Sequence, residues 1–338
     1  MTHASIAVIG AGAIGGVTAA YIAKAGYPVQ LVCKNPDRAD QIMQEGLHIT
    51  SIRGDQYVRL TAVAEIEQLS GPLDIVLIVT KAYDMPDAAR RVLPLLKEGS
   101  LVVSMQNGIC VEALAEVVGV RRAVGCVVGW GSTMLQDGTL NMTSEGDFVI
   151  GSMTPDIDLS VLREILCAVT PTRISDSIIA ELYSKMIVNA CITSLGALCG
   201  LYLGQILKRR SARNVFISII REAMDVANAM KLTIPPYGGK LDYYALVKGS
   251  GTLDNLRRHL TIRVIGFKYR RLKSSSLQSL NRGKPTEVDY FNGYIARKGT
   301  EHGIPTPVNS RIVAMIKEIE FGKRGIEPLN LQDAALKG

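Results

Sequence analysis

Several signatures that would decide the class of this protein at once are missing. The chain has six cysteines, Cys33, Cys110, Cys126, Cys167, Cys191 and Cys199, but no C-x-x-C pair. Neither a zinc ribbon nor a redox dithiol is therefore expected, and most of these thiols stand among apolar residues, where cysteine packs as a small hydrophobe. The expectation is a reducing cytoplasm, without disulfides or a metal site. The apolar stretch near the N-terminus is short, lacks a basic segment before it and runs into a glycine-rich turn, which is not the pattern of a secretory signal. No internal repeat or low-complexity tract occurs. A membrane span needs about 20 mostly apolar residues; the one stretch of that kind, Met186 to Leu207, is broken by Asn189, Thr193, Ser194, Gln205 and several glycines, and reads as a buried core helix.

What is present is an ordinary globular composition, 338 residues with 47% hydrophobic and 20% charged, long enough for two cores. The formal charge of +7 suits an anionic partner, and nucleic acid, acidic lipid and a phosphate-bearing cofactor all qualify. A short apolar run, Ser5 to Ile9, precedes Gly10-Ala11-Gly12-Ala13-Ile14-Gly15, an alanine-rich helical pattern to Ala25, and a second apolar run, Val29 to Cys33. This is a βαβ unit. The alternation continues with strands at Ile75 to Val79 and Leu101 to Ser104 and helices at Met85 to Leu96 and Val111 to Val118, which implies a parallel sheet covered by helices. Turn residues around Arg53-Gly54-Asp55, and again between Ala123 and Ile150, mark antiparallel excursions decorating that sheet. From about Asp176 strand signals fade, and helical patterns follow at Ile178 to Leu198, Ser211 to Met230, Val288 to Lys298 and Pro307 to Phe321. The expected division is residues 1–176, a Rossmann-like dinucleotide-binding domain, and residues 177–338, an all-helical domain carrying substrate and catalytic groups. A basic cluster, Arg257, Arg258, Arg263, Lys268, Arg270, Arg271 and Lys273, has only Phe267 and Tyr269 interleaved; it reads as solvated surface rather than a nucleic-acid face.

G-x-G-x-x-G alone is weak evidence, but a strand before it and a helix and strand after it are the context that gives it meaning. Gly10 permits the tight turn, Gly12 lets a pyrophosphate reach the backbone, and Gly15 allows close helix packing, with the phosphates at the helix N-terminus. The bland alternative is a glycine turn without ligand. Where a ribose-binding acid would end the second strand, the chain has Cys33-Lys34-Asn35; a cation there favours a 2′-phosphate and hence NADP, unless Lys34 is merely exposed and Asp37 binds the ribose. Lys81 and Asn107 also follow strands, so Gly10, Lys34, Lys81 and Asn107 should line one crevice at the carboxyl ends of the sheet. In the helical half, Lys185, Asn189 and Thr193 are spaced four apart and share one face of an otherwise apolar helix. A buried lysine needs a task or partner, although it could snorkel to solvent while Asn189 caps a turn. Thr286 and Asp289 could be helix caps and Glu287 a first-turn acid.

Taken together these residues resemble the ketopantoate reductase (2-dehydropantoate 2-reductase) family over essentially the full chain. The resemblance rests on the glycine loop, Val79-Thr80-Lys81-Ala82, Gln106-Asn107-Gly108, Lys185-Met186-Ile187-Val188-Asn189, Ser274-Ser275 and Thr286-Glu287-Val288-Asp289-Tyr290-Phe291-Asn292-Gly293. It implies NADPH as cofactor, with Gly10 to Gly15 on the pyrophosphate and Lys34 and Lys81 on the 2′-phosphate. It further implies Asn107 beside nicotinamide and substrate, Gly131 as a backbone cofactor contact, Lys185 as the catalytic lysine, Asn189 and Ser275 as substrate ligands, and Glu287 near cofactor, carbonyl and lysine. The chain departs from the family at Thr193, where a second asparagine is usual, at Leu203 in place of a polar contact, at Ser279 in place of Asp, and in a longer stretch from Leu232 to Lys273. Three readings stay open: reduction of ketopantoate, reduction of a different 2-oxo acid, and a dinucleotide sensor without turnover. The retention of Lys185 and Glu287 argues against the sensor. The expected partner is a small 2-oxo acid, not nucleic acid or membrane; the oligomeric state is not legible in the sequence, although helical domains of this type often present apolar faces to a twin, which leaves a homodimer open.

Overall fold

The run Ile6–Ile9 is buried along its whole length, as a strand covered on both faces must be. It forms β1 of a computed structural model that describes residues 4–336. The chain divides into two compact units, Met1–Leu182 and Tyr183–Gly338.

In the first unit β1 leads through α1 (Ala13–Lys24) to β2 (Val29–Val32), α2 (Pro36–Glu45), β3 (Leu47–Ser51), β4 (Gly54–Val58) and β5 (Thr61–Val63). Then follow β6 (Leu73–Ile78), α3 (Met85–Val92), β7 (Leu96–Ser104), α4 (Val111–Val118), β8 (Ala123–Val128), β9 (Gly131–Met134), β10 (Leu140–Ser144), β11 (Phe148–Ser152), α5 (Ser160–Cys167) and β12 (Thr172–Ile174). Eight strands make one sheet in the order β12-β11-β8-β7-β6-β1-β2-β5. From β8 to β5 every neighbour is parallel, while β11 runs antiparallel to β8. The two excursions do more than decorate this sheet: β3 and β4 pair with β10 and β9 in a four-stranded sheet of their own, packed on α1. Short elements escaped the sequence reading. The α2 helix is mostly exposed, and β5 and β12 have three residues each, too few to show a period.

The long apolar pattern after Asp176 forms α6 (Ile178–Cys199). It alone among the described residues is long and apolar enough to cross a membrane, and 78% of that window is buried in the protein. The second unit continues with α7 (Leu203–Lys208), α8 (Arg210–Ala229), α9 (Tyr243–Val247), α10 (Thr252–Lys268), α11 (Ser275–Leu280), α12 (Asn292–Glu301) and α13 (Pro307–Glu320). Helix α8 is the hub, packing on α7, α9, α10, α12 and α13. Its buried Glu222 accepts hydrogen bonds from the first-turn amides of α13, Val308 (2.8 Å) and Asn309 (2.9 Å), and from Asn309 Nδ2. A helix start that lacks its own cap is thus satisfied from the neighbouring helix. All six cysteines are free.

The basic cluster is corrected at one position. Arg258 is fully buried, not solvated. Its guanidinium donates to the carbonyls of Leu246, Val247, Lys248 and Gly249 and to Asn255 Oδ1. Those carbonyls belong to the end of α9, which has no following turn to accept them, and five fixed N–H donors suit such a cluster.

Candidate functional site

The strand register brings the polar strand ends of the first unit into one row. Ile9 lies opposite Val32 and Ile78, and Ile78 opposite Ser104, so Gly10, Cys33-Lys34, Val79 to Lys81 and Met105 to Asn107 leave the sheet side by side. Strands sit about 4.8 Å apart, and the row therefore borders a single crevice at the carboxyl edge. Buried Gln106 ties it together: its Nε2 donates to the carbonyls of Ile78 (2.9 Å) and Thr80 (3.3 Å), and its Oε1 accepts from Ser104 Oγ. Lys81 is exposed and Asn107 half-buried; both engage other groups.

The glycine turn is built as a phosphate cradle requires, with one redistribution of roles. Gly10 has φ +115°, and a Cβ there would meet the backbone of Val79 at 3.0 Å, so only glycine fits. A Cβ on Gly15 would collide with the Gly10 carbonyl and crowd the Val79 side chain after β6 at 3.2 Å, so Gly15 serves the turn as well as close packing. A second close approach is at Gly16, where a Cβ would strike Leu140 of β10. At Gly12 nothing lies within 4 Å of the Cβ position; no protein atom uses that space. Gly12 is also the N-cap of α1 and supplies no side chain, while the first intrahelical bond is made by Gly16 N–H to the Gly12 carbonyl. The amides of Ala13, Ile14 and Gly15 thus precede that ladder, as an anion-binding helix start demands. These features fit a dinucleotide pyrophosphate.

At the end of β2, Lys34 is exposed and has φ +56°, a left-handed conformation costly for lysine. Asn35 Oδ1 caps α2 by accepting from Arg38 N–H at 3.2 Å, leaving Asp37 as an exposed first-turn acid. A second cation, overlooked in the sequence, stands here. Arg38 is half-buried, donates to the Gly138 carbonyl at 2.7 Å, and lies near enough to Cys33 to oppose the burial that pushes that thiol up to about 11. Its signal was its place at the third position of a capped helix beginning at the strand end. Gly131 is not in this row: it opens β9 in the other sheet, and its N–H is donated to Ser144 Oγ at 2.9 Å.

In the second unit Lys185 and Asn189 are half-buried and Thr193 buried on α6, at the spacing of one face. The helix is pinned just before Lys185. Tyr243 Oη donates to the Ser184 carbonyl (2.6 Å), Ser184 Oγ to the Pro235 carbonyl (2.8 Å), and Tyr183 Oη to the Ala223 carbonyl (2.7 Å). Thr193 Oγ1 donates to the Asn189 carbonyl at 2.7 Å, so only its acceptor capacity remains. One turn further, a Cβ on Gly196 would collide with the Ser274 hydroxyl. That contact sets the start of α11 against the same face of α6 and brings exposed Ser275 to the end of the polar stripe. Gly196 is the residue the sequence reading passed over, and its place on the 185–189–193 face was the available clue.

Glu287 is only 6% exposed and opens the 3₁₀ turn Val288–Tyr290. Thr286 Oγ1 accepts from the Val288 N–H at 3.3 Å, the first amide of this turn, whereas among the described residues Asp289 caps nothing. Thr286 donates through both N–H and Oγ1 to Glu320 of α13 at 2.7 Å each, and Asp289 pairs with Lys317 at 2.6 Å. These links clamp the segment bearing Glu287 onto α13. A carboxylate this buried requires polar partners, and Glu287, Lys185 and Asn189 all have them. Leu203 is buried and Ser279 half-buried.

A parallel sheet with a glycine turn and a polar row at its carboxyl edge, followed by an all-helical unit, defines a Rossmann-type dinucleotide fold with an appended helical domain. The chain belongs to the ketopantoate reductase family: residues 6–155 match the model "Ketopantoate reductase PanE/ApbA" and residues 177–320 its C-terminal counterpart. It is similar to the 2-dehydropantoate 2-reductase of Aquifex aeolicus, 27% identical over 93% of this chain and 96% of that protein. It is also similar to that of Pyrococcus abyssi, 28% identical over 95% and 98%. Among solved structures it is similar to a PanE/ApbA family ketopantoate reductase from Ralstonia eutropha JMP134, with TM-score 0.80 and 28% identity over 95% of this chain and all of that one. D-mandelate dehydrogenase in complex with NADH and anilino(oxo)acetate also has a TM-score of 0.80, at 20% identity over 94% of this chain and 99% of that one, a likeness of fold.

Proposed function

We propose that the protein is an NADPH-dependent reductase of a 2-oxo acid, with 2-dehydropantoate, reduced to pantoate towards pantothenate and coenzyme A, as the first-choice substrate. In this reading residues 1–176 bind NADPH and residues 177–338 carry substrate and catalytic groups. The observation that carries it is the stripe Lys185, Asn189, Thr193 meeting Ser274-Ser275 across Gly196, because binding a dinucleotide requires none of these residues.

Bound NADPH supplies the hydride that becomes the new C–H bond at C2 of the acid. Lys185 hydrogen-bonds the carbonyl oxygen and delivers the proton that makes it a hydroxyl, an ammonium standing where negative charge develops. Glu287 orients Lys185, while Asn189 and Ser275 hold the substrate's carboxylate and hydroxyl, Thr193 contributing as an acceptor only. Gly10, Ala11, Gly12, Ala13, Ile14 and Gly15 hold the pyrophosphate. Lys34, with Lys81 and Arg38, takes the 2′-phosphate, and Asn107 lies by the nicotinamide. Gly131 could contribute its carbonyl, its amide being engaged. The preference for NADPH over NADH rests on cations at the end of β2.

A second reading, the same chemistry on a different 2-oxo acid, is favoured by the donor of Thr193 being spent on its own helix and by buried, apolar Leu203. Measuring NADPH oxidation against a panel of 2-oxo acids including ketopantoate decides between them; no oxidation with any would overturn both.

We further propose a cytoplasmic homodimer, without a nucleic-acid or membrane partner. Its support is α10, whose Leu253, Leu256, Leu260, Val264 and Phe267 are all more than half exposed. Their spacing of three and four residues makes one stripe, about 21 Å long at 1.5 Å per residue, opposite the face that buries Arg258 and Ile262. Two copies pairing these stripes would bury an apolar strip of the kind that cores an interface. Light scattering should give a dimer that Leu256→Glu with Leu260→Glu converts to monomer; a monomeric wild type would remove this proposal.

A further inference from the structure

Helix α8 presents two faces of opposite character. Phe216, Ile219, Ile220 and Ala223 are buried, whereas Arg210, Asn214, Ser218 and Arg221 recur at spacings of three and four residues and line a cavity of about 530 Å³ together with His259 of α10 and Gln332 of the C-terminal segment. Among the described residues no carboxylate lines it. Among the described residues neither Arg210 nor Arg221 has an ion-pair partner, and Glu222, next in sequence, is spent on the amides of α13.

Arg213, behind the lining residue His259, fixes the state of that ring. Arg213 Nε donates to His259 Nδ1 at 3.1 Å, and its Nη1 to the carbonyls of Leu207 and Lys208. A histidine that accepts at Nδ1 is neutral and carries its proton on Nε2. Burial and the positive charges of Arg213, Arg210 and Arg258 lower the His259 pKa, and burial with Arg263 and Arg210 lowers that of Arg213. The cations around His259 thus repel one another, a repulsion that a bound anion would relieve.

We propose that this cavity is a binding site for a phosphorylated small molecule. Arg210 and Arg221 stand eleven residues apart, about 16 Å along the helix, with arms long enough to converge on one ligand from both ends. Guanidinium groups offer paired donors that match phosphate oxygens, while Asn214, Ser218 and the His259 Nε2–H add neutral donors between them. The volume accommodates a nucleotide-sized molecule, and the ligand would bridge α8, α10 and the C-terminal segment of the helical unit.

The test is calorimetric titration of inorganic pyrophosphate, then ADP, into the whole protein with its dinucleotide site saturated by NADP+ or NAD+. Wild type should bind both, ADP more tightly, and pyrophosphate should raise its Tm. Arg210→Gln with Arg221→Gln, both exposed positions, should weaken binding at least tenfold and abolish the Tm shift while the unliganded Tm stays the same, and Lys34→Ala should leave binding unchanged. Absence of binding in the wild type, equal binding by the double variant, or equal binding of sulfate would overturn the proposal.

Discussion

In the proposed function the glycine turn of the first unit and the polar stripe of α6 in the second hold their ligands by different means. The turn works through backbone: its specificity lies in side chains that are absent, so that amides at the start of α1 and the space at Gly12 stay open. The stripe works through side chains on a rigid helix, and its precision comes from buried neighbours, Tyr183, Ser184 and Tyr243, that pin the backbone bearing Lys185. A backbone site should tolerate changes in the side chains around it and fail when a methyl group enters it. A side-chain site should do the reverse.

The largest expected effect is at the stripe. Lys185→Ala should depress turnover by about a hundred- to ten-thousand-fold, the range of general acid catalysis, while fluorescence titration shows NADPH affinity unchanged. Lys185→Arg should not restore the rate, because a guanidinium scarcely releases a proton. A Lys185→Ala enzyme that turned over normally, or lost only cofactor affinity, would end the distinction between the two sites.

The turn should answer in the opposite sense. Gly15→Ala drives a methyl group into the Gly10 carbonyl, and dinucleotide affinity should fall on the order of tenfold or more as the turn opens. Unchanged affinity in equilibrium binding would mean that the amides of α1 do not hold the pyrophosphate. Lys34→Asp should be milder for binding as a whole but narrow or invert the preference for NADPH over NADH, by about tenfold, since one cation is replaced by an acid facing the 2′-phosphate. Equal or better kcat/KM with NADH in the wild type would remove Lys34 from that role. The smallest effect is expected for Glu287→Gln, a partial loss of rate with a displaced pH profile, if the carboxylate orients and tunes Lys185; a uniform loss at every pH would point instead to packing.

Helices α4, α6, α8 and α13 were legible because their apolar patterns extend over two turns or more, and four-residue β1 because its unbroken apolar run stands directly before the glycine turn; all fall within a residue or two of their patterns. The four-stranded sheet was not legible as a sheet, since the pairing of β3 with β10 joins segments some ninety residues apart, and no local pattern records a partner at that distance. At the sites, residue types and spacings were readable for the glycine loop, Lys34, Lys81, Asn107 and the α6 stripe. Arg38 was missed because its importance depends on a loop, at Gly138, brought from the second sheet. A cap is the commonest local use of residues such as Thr286 and Asp289; Thr286 serves as one for Val288 while also binding Glu320 of α13, and Asp289 is taken by Lys317 of α13.

By itself, then, the sequence determined what is local: the glycine turn, where only residues without side chains can fold so tightly, the cation after β2, and the four-residue spacing that sets Lys185, Asn189 and Thr193 on one face. Only the tertiary structure decided what depends on a distant partner. Gly15 belongs to the turn because the Gly10 carbonyl lies against it, and Gly196 matters because Ser274 does. Arg258 is a buried clamp because the carbonyls ending α9 converge on it. Hydrogen bonds and close contacts act over a few ångströms of space, and only folding determines which residues come within that reach.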